Sequence, residues 1–411
     1  MTDLDEILNY SLNFPEIKLK FRPVKFARFA HLLPFLYSAR MQKLIQTRFE
    51  LFQSLFPGEK PFRWKQVEEN LFKPGKTTWQ DVSNLPKEMR EILASKVPWL
   101  SYISSQVLRS ARGDTHKALL TLADDQKVET VLMENKRGDW TICVSSQLGC
   151  AMGCTFCATG KMGLTRNMTA DEITDQYRFW QHFIATPRSG AYQEDFKGDQ
   201  RISNVVFMGM GEPLANYENV KKSIHTWLKN TDLGHTHITV STVGILPVLE
   251  EILTDPDWPD ARLAISLHSA DPVTRKEIVP SSFDRFIPKL KDWIQRYQKV
   301  HGNRRHHLTF EYVMLKNVND TAHHAEELAK LVNELSATRR HGEEPLKVNM
   351  IPYNFTDIGL ERSTNNQIHR FRAILEAAGV PVMIRKTMGD DIAAACGQLI
   401  VLGAKKGKIS T

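Results

Sequence analysis

The chain is poor in cysteine. Five cysteines are scattered through 411 residues, which does not make the disulfide framework of a small secreted domain. No run approaches the roughly 18 uninterrupted apolar residues of a membrane span. The opening stretch MTDLDEILNY is acidic and polar and lacks the apolar centre of a secretory signal. A cytoplasmic protein with no membrane partner is therefore expected. Acidic residues are not in surplus either. The formal net charge is +7, which favours an acidic partner such as RNA over an acidic protein surface. Internal repeats and low-complexity runs are missing too. With 42% hydrophobic and 25% charged residues, the composition is that of a folded globular chain. The length exceeds one ordinary compact core unless that core is a barrel.

What is present divides into regions. Residues 1–97 read as a small basic helical module. Lys18, Lys20, Arg22, Lys25, Arg28, Arg40, Lys43 and Arg48 alternate with aromatic and aliphatic residues, a surface that could contact phosphates and stack on unpaired bases. Residues 98–140 hold alternating segments, KALLTLA and KVETVLM, that predict a short antiparallel β extension. From 141 to 400 the pattern changes to short β-rich runs, TICVSS, NVVFMG, HITVST, RLAISL, LTFEYVM, KVNMIP and PVMIRK. Helical stretches near 170–184, 217–229, 246–253, 286–300, 320–336 and 363–378 separate them. Alternating βα units predict a parallel sheet, and their number fits a partial (βα)6 barrel better than a complete eightfold one. A doubly wound open sheet is the alternative. The stretch 188–204 is polar and breaks the rhythm, and residues 401–411 form a basic tail.

Cys150, Cys154 and Cys157 fall in one run, SSQLGCAMGCTFCATGKMG, spaced C-x3-C-x2-C. Structural zinc is closed by four ligands, and most iron–sulfur clusters also take four protein thiolates. Three thiolates with no nearby fourth cysteine or histidine leave one metal corner open, where a cofactor can bind. A 4Fe–4S cluster with one free iron fits this better than zinc. Glycines 149, 153 and 160 allow the backbone to fold tightly around such a group. MGMGEP places Gly211 and Glu212 at the end of a predicted strand, where Glu212 can accept a hydrogen bond from an ammonium group.

The triad after a first strand resembles radical S-adenosylmethionine enzymes. CVSSQ-x2-C-x3-C-x2-C, MGMGEPL, SLH, NMIPYN and GDDIAAACGQL, in that order, resemble more closely the RlmN/Cfr family of adenine methyltransferases. WKQVEENLFK and LPKEMREIL resemble that family's N-terminal accessory module. The resemblance implies a radical S-adenosylmethionine barrel in which Cys150, Cys154 and Cys157 hold the cluster. Gly211, Glu212, Ser241, Ser266, Leu267, His268 and Asn354 would line the S-adenosylmethionine site. Cys396 would carry a methyl group as S-methylcysteine. Cys143 would be its resolving thiol, joined to it in a transient disulfide, and Glu129 would be a proton acceptor. The family's activity implies methylation of C2 of an adenosine in 23S rRNA and of some tRNAs, with two S-adenosylmethionine molecules per turnover. It also implies a monomer served by an electron donor such as flavodoxin or ferredoxin. Two alternatives stand beside this: a C8 methyltransferase of the same family, and a non-catalytic iron–sulfur or zinc protein that binds RNA.

The chemistry makes sense of a cysteine inventory of three plus two. Adenine C2 is neither acidic nor nucleophilic, so a sulfonium methyl has nothing to attack it. A methyl group parked on a thiolate can instead be activated as a carbon radical and add to the electron-poor ring. The product must then be released from the protein, which calls for a second thiol and a base.

Overall fold

A computed structural model describes residues 45–135, 137–186, 196, 200–301, 308–337, 346–356 and 358–399. The basic tail, most of the 188–204 stretch and the basic residues from Lys18 to Lys43 lie outside the described residues. Three helices come first: α1 (Arg48–Leu55), α2 (Pro61–Leu71) and α3 (Lys87–Lys96). Thr47 starts α1 with a reciprocal cap: its hydroxyl accepts from Glu50 N–H at 3.2 Å, and the Glu50 carboxylate accepts from Thr47 N–H at 2.7 Å. Pro61 opens α2, where its missing N–H costs nothing.

Next come β1 (Tyr102–Arg109), β2 (Thr115–Leu122), β3 (Lys127–Glu134), β4 (Trp140–Cys143) and β5 (Gln147–Cys150). The short helix α4 (Ala158–Lys161) leads to β6 (Gly163–Asn167) and α5 (Ala170–Ala185). Then β7 (Ile202–Phe207), α6 (Tyr217–Asn230), β8 (Ile238–Thr242), α7 (Leu246–Thr254) and β9 (Arg262–Ser266) alternate. Two helices follow, α8 (Pro272–Ile278) and α9 (Phe286–His301). The chain ends with β10 (Leu308–Met314), α10 (Ala322–Ser336), β11 (Lys347–Pro352), α11 (Asn365–Ala377) and β12 (Val382–Ile384).

One ten-stranded sheet runs in the order β1-β2-β3-β4-β7-β8-β9-β10-β11-β12. β1 to β4 pair antiparallel. From β4 to β12 every neighbour is parallel. The edges are β1 and β12, so the sheet stays open. Neighbouring crossover helices touch one another, α5 on α6, α7 on α9 and α10 on α11, as in an open (βα)6 barrel. The β extension thus continues the barrel sheet edge to edge. Its outermost strand, β1, was not among the expected segments.

Two further elements go beyond the sequence reading. The triad opens inside a small hairpin, β5–β6, and α8 precedes α9. The hairpin has a register shift between Leu148 and Gly149, which erases the alternation that marks a strand. α8 is a short segment, PVTRKEI, in which Arg275 and Ile278 are buried while Val273 is exposed, so no apolar stripe announces it.

The N-terminal helices share one apolar core with the barrel. Phe52, Val67, Leu71, Trp79 and Leu93 pack in the same cluster as Tyr177, Trp180 and Trp227. Arg48 corrects an expectation here. It is not a phosphate-facing residue: it is 2% exposed, donates to Pro98 O at 2.9 Å, and pairs with Asp175 and Asp171 of α5.

Candidate active site

The three triad cysteines lie at the barrel mouth in one apolar cluster. Met152, Cys154, Ile278, Val279, Val313, Leu315 and Tyr353 form it, with Cys150, Phe156 and Cys157 packed against them. Cys150 ends β5 and Cys157 caps α4. The turn between them is fixed by Cys157 N–H donating to Cys154 O at 3.2 Å and Thr155 N–H to Ile278 O at 2.9 Å. Gly149 is required for the hairpin: it has φ +78°, and a Cβ there would lie 1.8 Å from Gly163 O. Burial raises all three thiols, Cys150 to about 12. Such thiols become good ligands only when metal displaces their protons. Among the described residues no three His, Cys, Asp or Glu side chains are arranged around a single ion. A cubane cluster asks for something else, one thiolate per iron corner, and three cysteines in an apolar shell meet that demand.

The MGMGEP loop is built against the segment after β4. Ser145 Oγ donates to Glu129 O at 2.6 Å and accepts from Met210 N–H at 2.8 Å. Gln176 of α5 brackets Ser145, accepting from its N–H and donating to its carbonyl, both at 2.8 Å. A Cβ on Gly209 would sit 2.6 Å from Ser145 Oγ, and one on Gly211 (φ +98°) 2.5 Å from Gln147 Cβ. The glycines are thus fixed by contact with the β4 segment as well as by the turn. Glu212 N–H donates to Gln147 Oε1 at 2.8 Å. The Glu212 carboxylate accepts from Leu214 N–H at 3.0 Å and from Val243 N–H at 2.9 Å. It is 3% exposed. Burial raises it to about 7, against the hydrogen bonds from Thr242, Val243 and Leu214.

A row of polar groups crosses the strand ends from β8 to β12. Ser241 Oγ and Ser266 Oγ are 3.2 Å apart. Ser266 is in register with Glu311 on β10, and Glu311 with Asn349 on β11. Glu311 Oε1 accepts from Asn349 Nδ2 at 2.8 Å and from Arg385 Nη2 at 3.0 Å, while Oε2 is buried without a partner. His268 has φ +59°. Its Nδ1 accepts from Val313 N–H at 3.1 Å, leaving Nε2 as the donor, and its ring meets Phe156 of the triad loop edge-on at 4.7 Å. Burial and the nearby Arg275 push it down to about 3, so it is neutral at physiological pH. The Leu267 side chain is fully buried, so only its backbone is available to a ligand.

The remaining two cysteines meet near Arg385. Cys143 is buried at the end of β4, in register with Val131. Cys396 is exposed, on a segment fastened from several sides. Asn354 Nδ2 donates to Cys396 O at 3.1 Å, and Ala158 N–H of the triad helix donates to Gly397 O at 2.8 Å. Ala111 N–H donates to Asp391 at 2.7 Å. Desolvation raises both thiols, and the Arg385 guanidinium opposes it at each. Cys143 and Cys396 are both free, so the disulfide expected between them is not formed in this structure. Glu129 is 5% exposed and pairs with Lys117 Nζ at 2.9 Å. The same ammonium donates to Ala393 O at 3.1 Å, which links Glu129 to the Cys396 segment.

Lys117, Arg275, Glu311 and Arg385 escaped the sequence reading. Only Glu311 leaves a trace there, as a carboxylate inside the apolar strand LTFEYVM.

Comparison with known proteins follows this geometry. The Radical SAM superfamily model matches residues 144–332. A probable dual-specificity RNA methyltransferase RlmN from Dictyoglomus thermophilum is 39% identical over 359 residues, 86% of this chain and 94% of the relative. The crystal structure of a radical SAM methyltransferase from Sphaerobacter thermophilus superposes with a TM-score of 0.72 at 34% identity, covering 86% of this chain and 97% of that one. Among the described residues no helix is long and apolar enough to cross a membrane. Barrel, cysteine triad and near full-length similarity agree: the chain belongs to the RlmN family of radical S-adenosylmethionine methyltransferases.

Proposed function

We infer that this protein methylates C2 of an adenosine in 23S rRNA, and of adenosine in tRNA, through a methyl group carried on Cys396. The observation that supports this most directly is the second thiol pair. Cys143 and Cys396 lie outside the triad motif and both feel the Arg385 guanidinium, and Cys143 ends the strand paired with the one that carries Glu129. A methyltransferase acting on a nucleophilic atom would need none of these groups.

Cys150, Cys154 and Cys157 would hold a 4Fe–4S cluster. Gly211, Glu212, Ser241, Ser266, Leu267, His268 and Asn354 would hold S-adenosylmethionine, with the Glu212 carboxylate suited to an ammonium. When bound, the two supply a methyl group and a 5′-deoxyadenosyl radical. The chain's own residues do the rest. Cys396 takes the methyl group on its sulfur and presents it at the mouth, where a splayed-out adenine can reach it. With one of its hydrogen atoms given up to that radical, the carbon would bridge Cys396 Sγ and adenine C2. Release requires loss of the C2 proton and scission of the carbon–sulfur bond, roles given to Glu129 and Cys143. Asn354 and Lys117 hold the segment in place through backbone carbonyls. The protein would work as a cytoplasmic monomer with a flavodoxin or ferredoxin as electron donor.

The test is anaerobic incubation with 23S rRNA fragments and tRNA, followed by nucleoside mass spectrometry. 2-Methyladenosine is expected, and 8-methyladenosine would overturn the C2 assignment. Cys396→Ala should abolish methylation while RNA binding survives. Cys143→Ala should retain a covalent protein–RNA adduct, and a clean variant without adduct would remove Cys143 from the release step.

A further inference from the structure

Arg275 is 1% exposed and has no carboxylate partner among the described residues. Backbone alone holds it: Nη1 donates to Ser266 O at 2.9 Å and to Leu267 O, and Nη2 donates to Val243 O at 2.7 Å. Nε is buried without a partner. The guanidinium lies over the Phe286 ring, 4.1 Å from its centre. Arg48 and Arg178 show the contrast, since both are equally buried and share Asp175. Carbonyl dipoles and a ring face offset part of the desolvation, yet they leave a whole positive charge in an apolar interior. Burial presses the group down to about 9. An apolar side chain of similar length would escape the desolvation cost but leave the three carbonyls without this donor.

The helix that carries Arg275 packs on the triad loop. α8 ends on Ile278, whose carbonyl accepts Thr155 N–H from the triad loop. Ile278 and Val279 pack directly on Met152 and Cys154. An ionised Cys154 and the Arg275 cation would each favour the other's charged form. A cubane held by three thiolates is an anion, and reduction by one electron makes it more negative.

We propose that Arg275 is the buried counter-charge of the iron–sulfur cluster, a positioning residue that stabilises the reduced cluster and so raises its midpoint potential. This rests on the proposed function only in that a cluster is bound. The sign follows from Coulomb's law: a nearby cation favours the state with the extra electron, which a low-potential one-electron reductant supplies and thereby loses.

The experiment compares full-length wild type, Arg275→Met and Arg275→Lys after anaerobic cluster reconstitution, without S-adenosylmethionine. Iron and sulfide are counted, and the reduced cluster is followed by EPR in a dithionite titration. In Arg275→Met the reduced-to-oxidised ratio at the wild-type midpoint should fall about tenfold, equivalent to about 59 mV for one electron. Arg275→Lys should recover most of it. Urea unfolding of the cluster-free variants checks that each is folded at the assay temperature, since Arg275→Met also removes the donor to three carbonyls. Failure of a folded Arg275→Met to retain a cluster that Arg275→Lys retains would also support the counter-charge.

An intact cluster with an unchanged midpoint overturns the proposal and leaves RNA methylation standing. So does a shift seen only after S-adenosylmethionine is added, which would put the counter-charge on that molecule's carboxylate. A wild type that takes up no cluster overturns this proposal and the functional reading together.

Discussion

Glu212 shows how one side chain can link pH to folding. Its carboxylate caps a turn, ties the β7 and β8 loops together, and is raised by burial to about 7. Between about pH 4.5 and 7 the folded state of cofactor-free protein therefore holds a proton that the unfolded chain has released. Stability must fall as pH rises through that window. His268 acts on the other side: its value is depressed by burial, so stability is lost as pH falls below its unfolded value. The two slopes oppose each other between about pH 4.5 and 6.5, so thermal melts of cofactor-free wild type should vary little there, whereas Glu212→Gln should gain stability as pH rises through that range. Gly211 sets a second test at this scale. Gly211→Ala forces a Cβ against Gln147 at positive φ, which should cost about 1–3 kcal/mol in urea unfolding.

At the scale of elements, the segment that carries Cys396 has little regular structure of its own, since only 390–392 form a helical turn. It is positioned by what surrounds it. Thr115 and Lys117 of β2 hold it from one side, and Gly389 can approach only because a Cβ there would lie 2.6 Å from Thr115 Cγ2. Lys117→Met should therefore raise amide exchange over 389–396, leave the parallel strands unchanged and slow methyl transfer, while Lys117→Arg keeps the ion pair. Equal exchange in both variants would remove Lys117 as a fastener. What was legible at this scale follows the same logic. LTFEYVM is dense in apolar residues and almost wholly buried, and KVNMIP alternates buried with more exposed positions, so local pattern marks both. Helices such as 170–184 carry their own caps and a wide apolar stripe. β5, β6 and α8 depend on contacts made by other parts of the chain, so nothing local announces them. The same holds within the site: cysteine spacing and the GMGEP glycines are local patterns, while the burial of Arg275 and Lys117 and the placement of Arg385 are decided by strands and helices far away in sequence.

Across the whole molecule, the accessory helices and the barrel form one core, locked by a buried charge cluster. Burial works against the charge of Asp175, but Arg48 and Arg178 outweigh it and hold the carboxyl below its ordinary value. Arg48→Met removes one of these cations and should destabilise the entire protein by up to about 3–5 kcal/mol, in a single cooperative transition. Separate melting of the N-terminal helices would show that the two parts fold independently.

Cys396 is the most exposed of the five cysteines, Cys150 and Cys157 being half-buried and Cys143 and Cys154 buried. A thiol-directed alkylating reagent applied to the native protein should therefore mark Cys396 first. A methylated sulfur no longer reacts with such a reagent. The fraction of chains that escape labelling then reports how many molecules hold a methyl group, so a mass shift on one peptide can gauge the readiness of the population before any RNA is added.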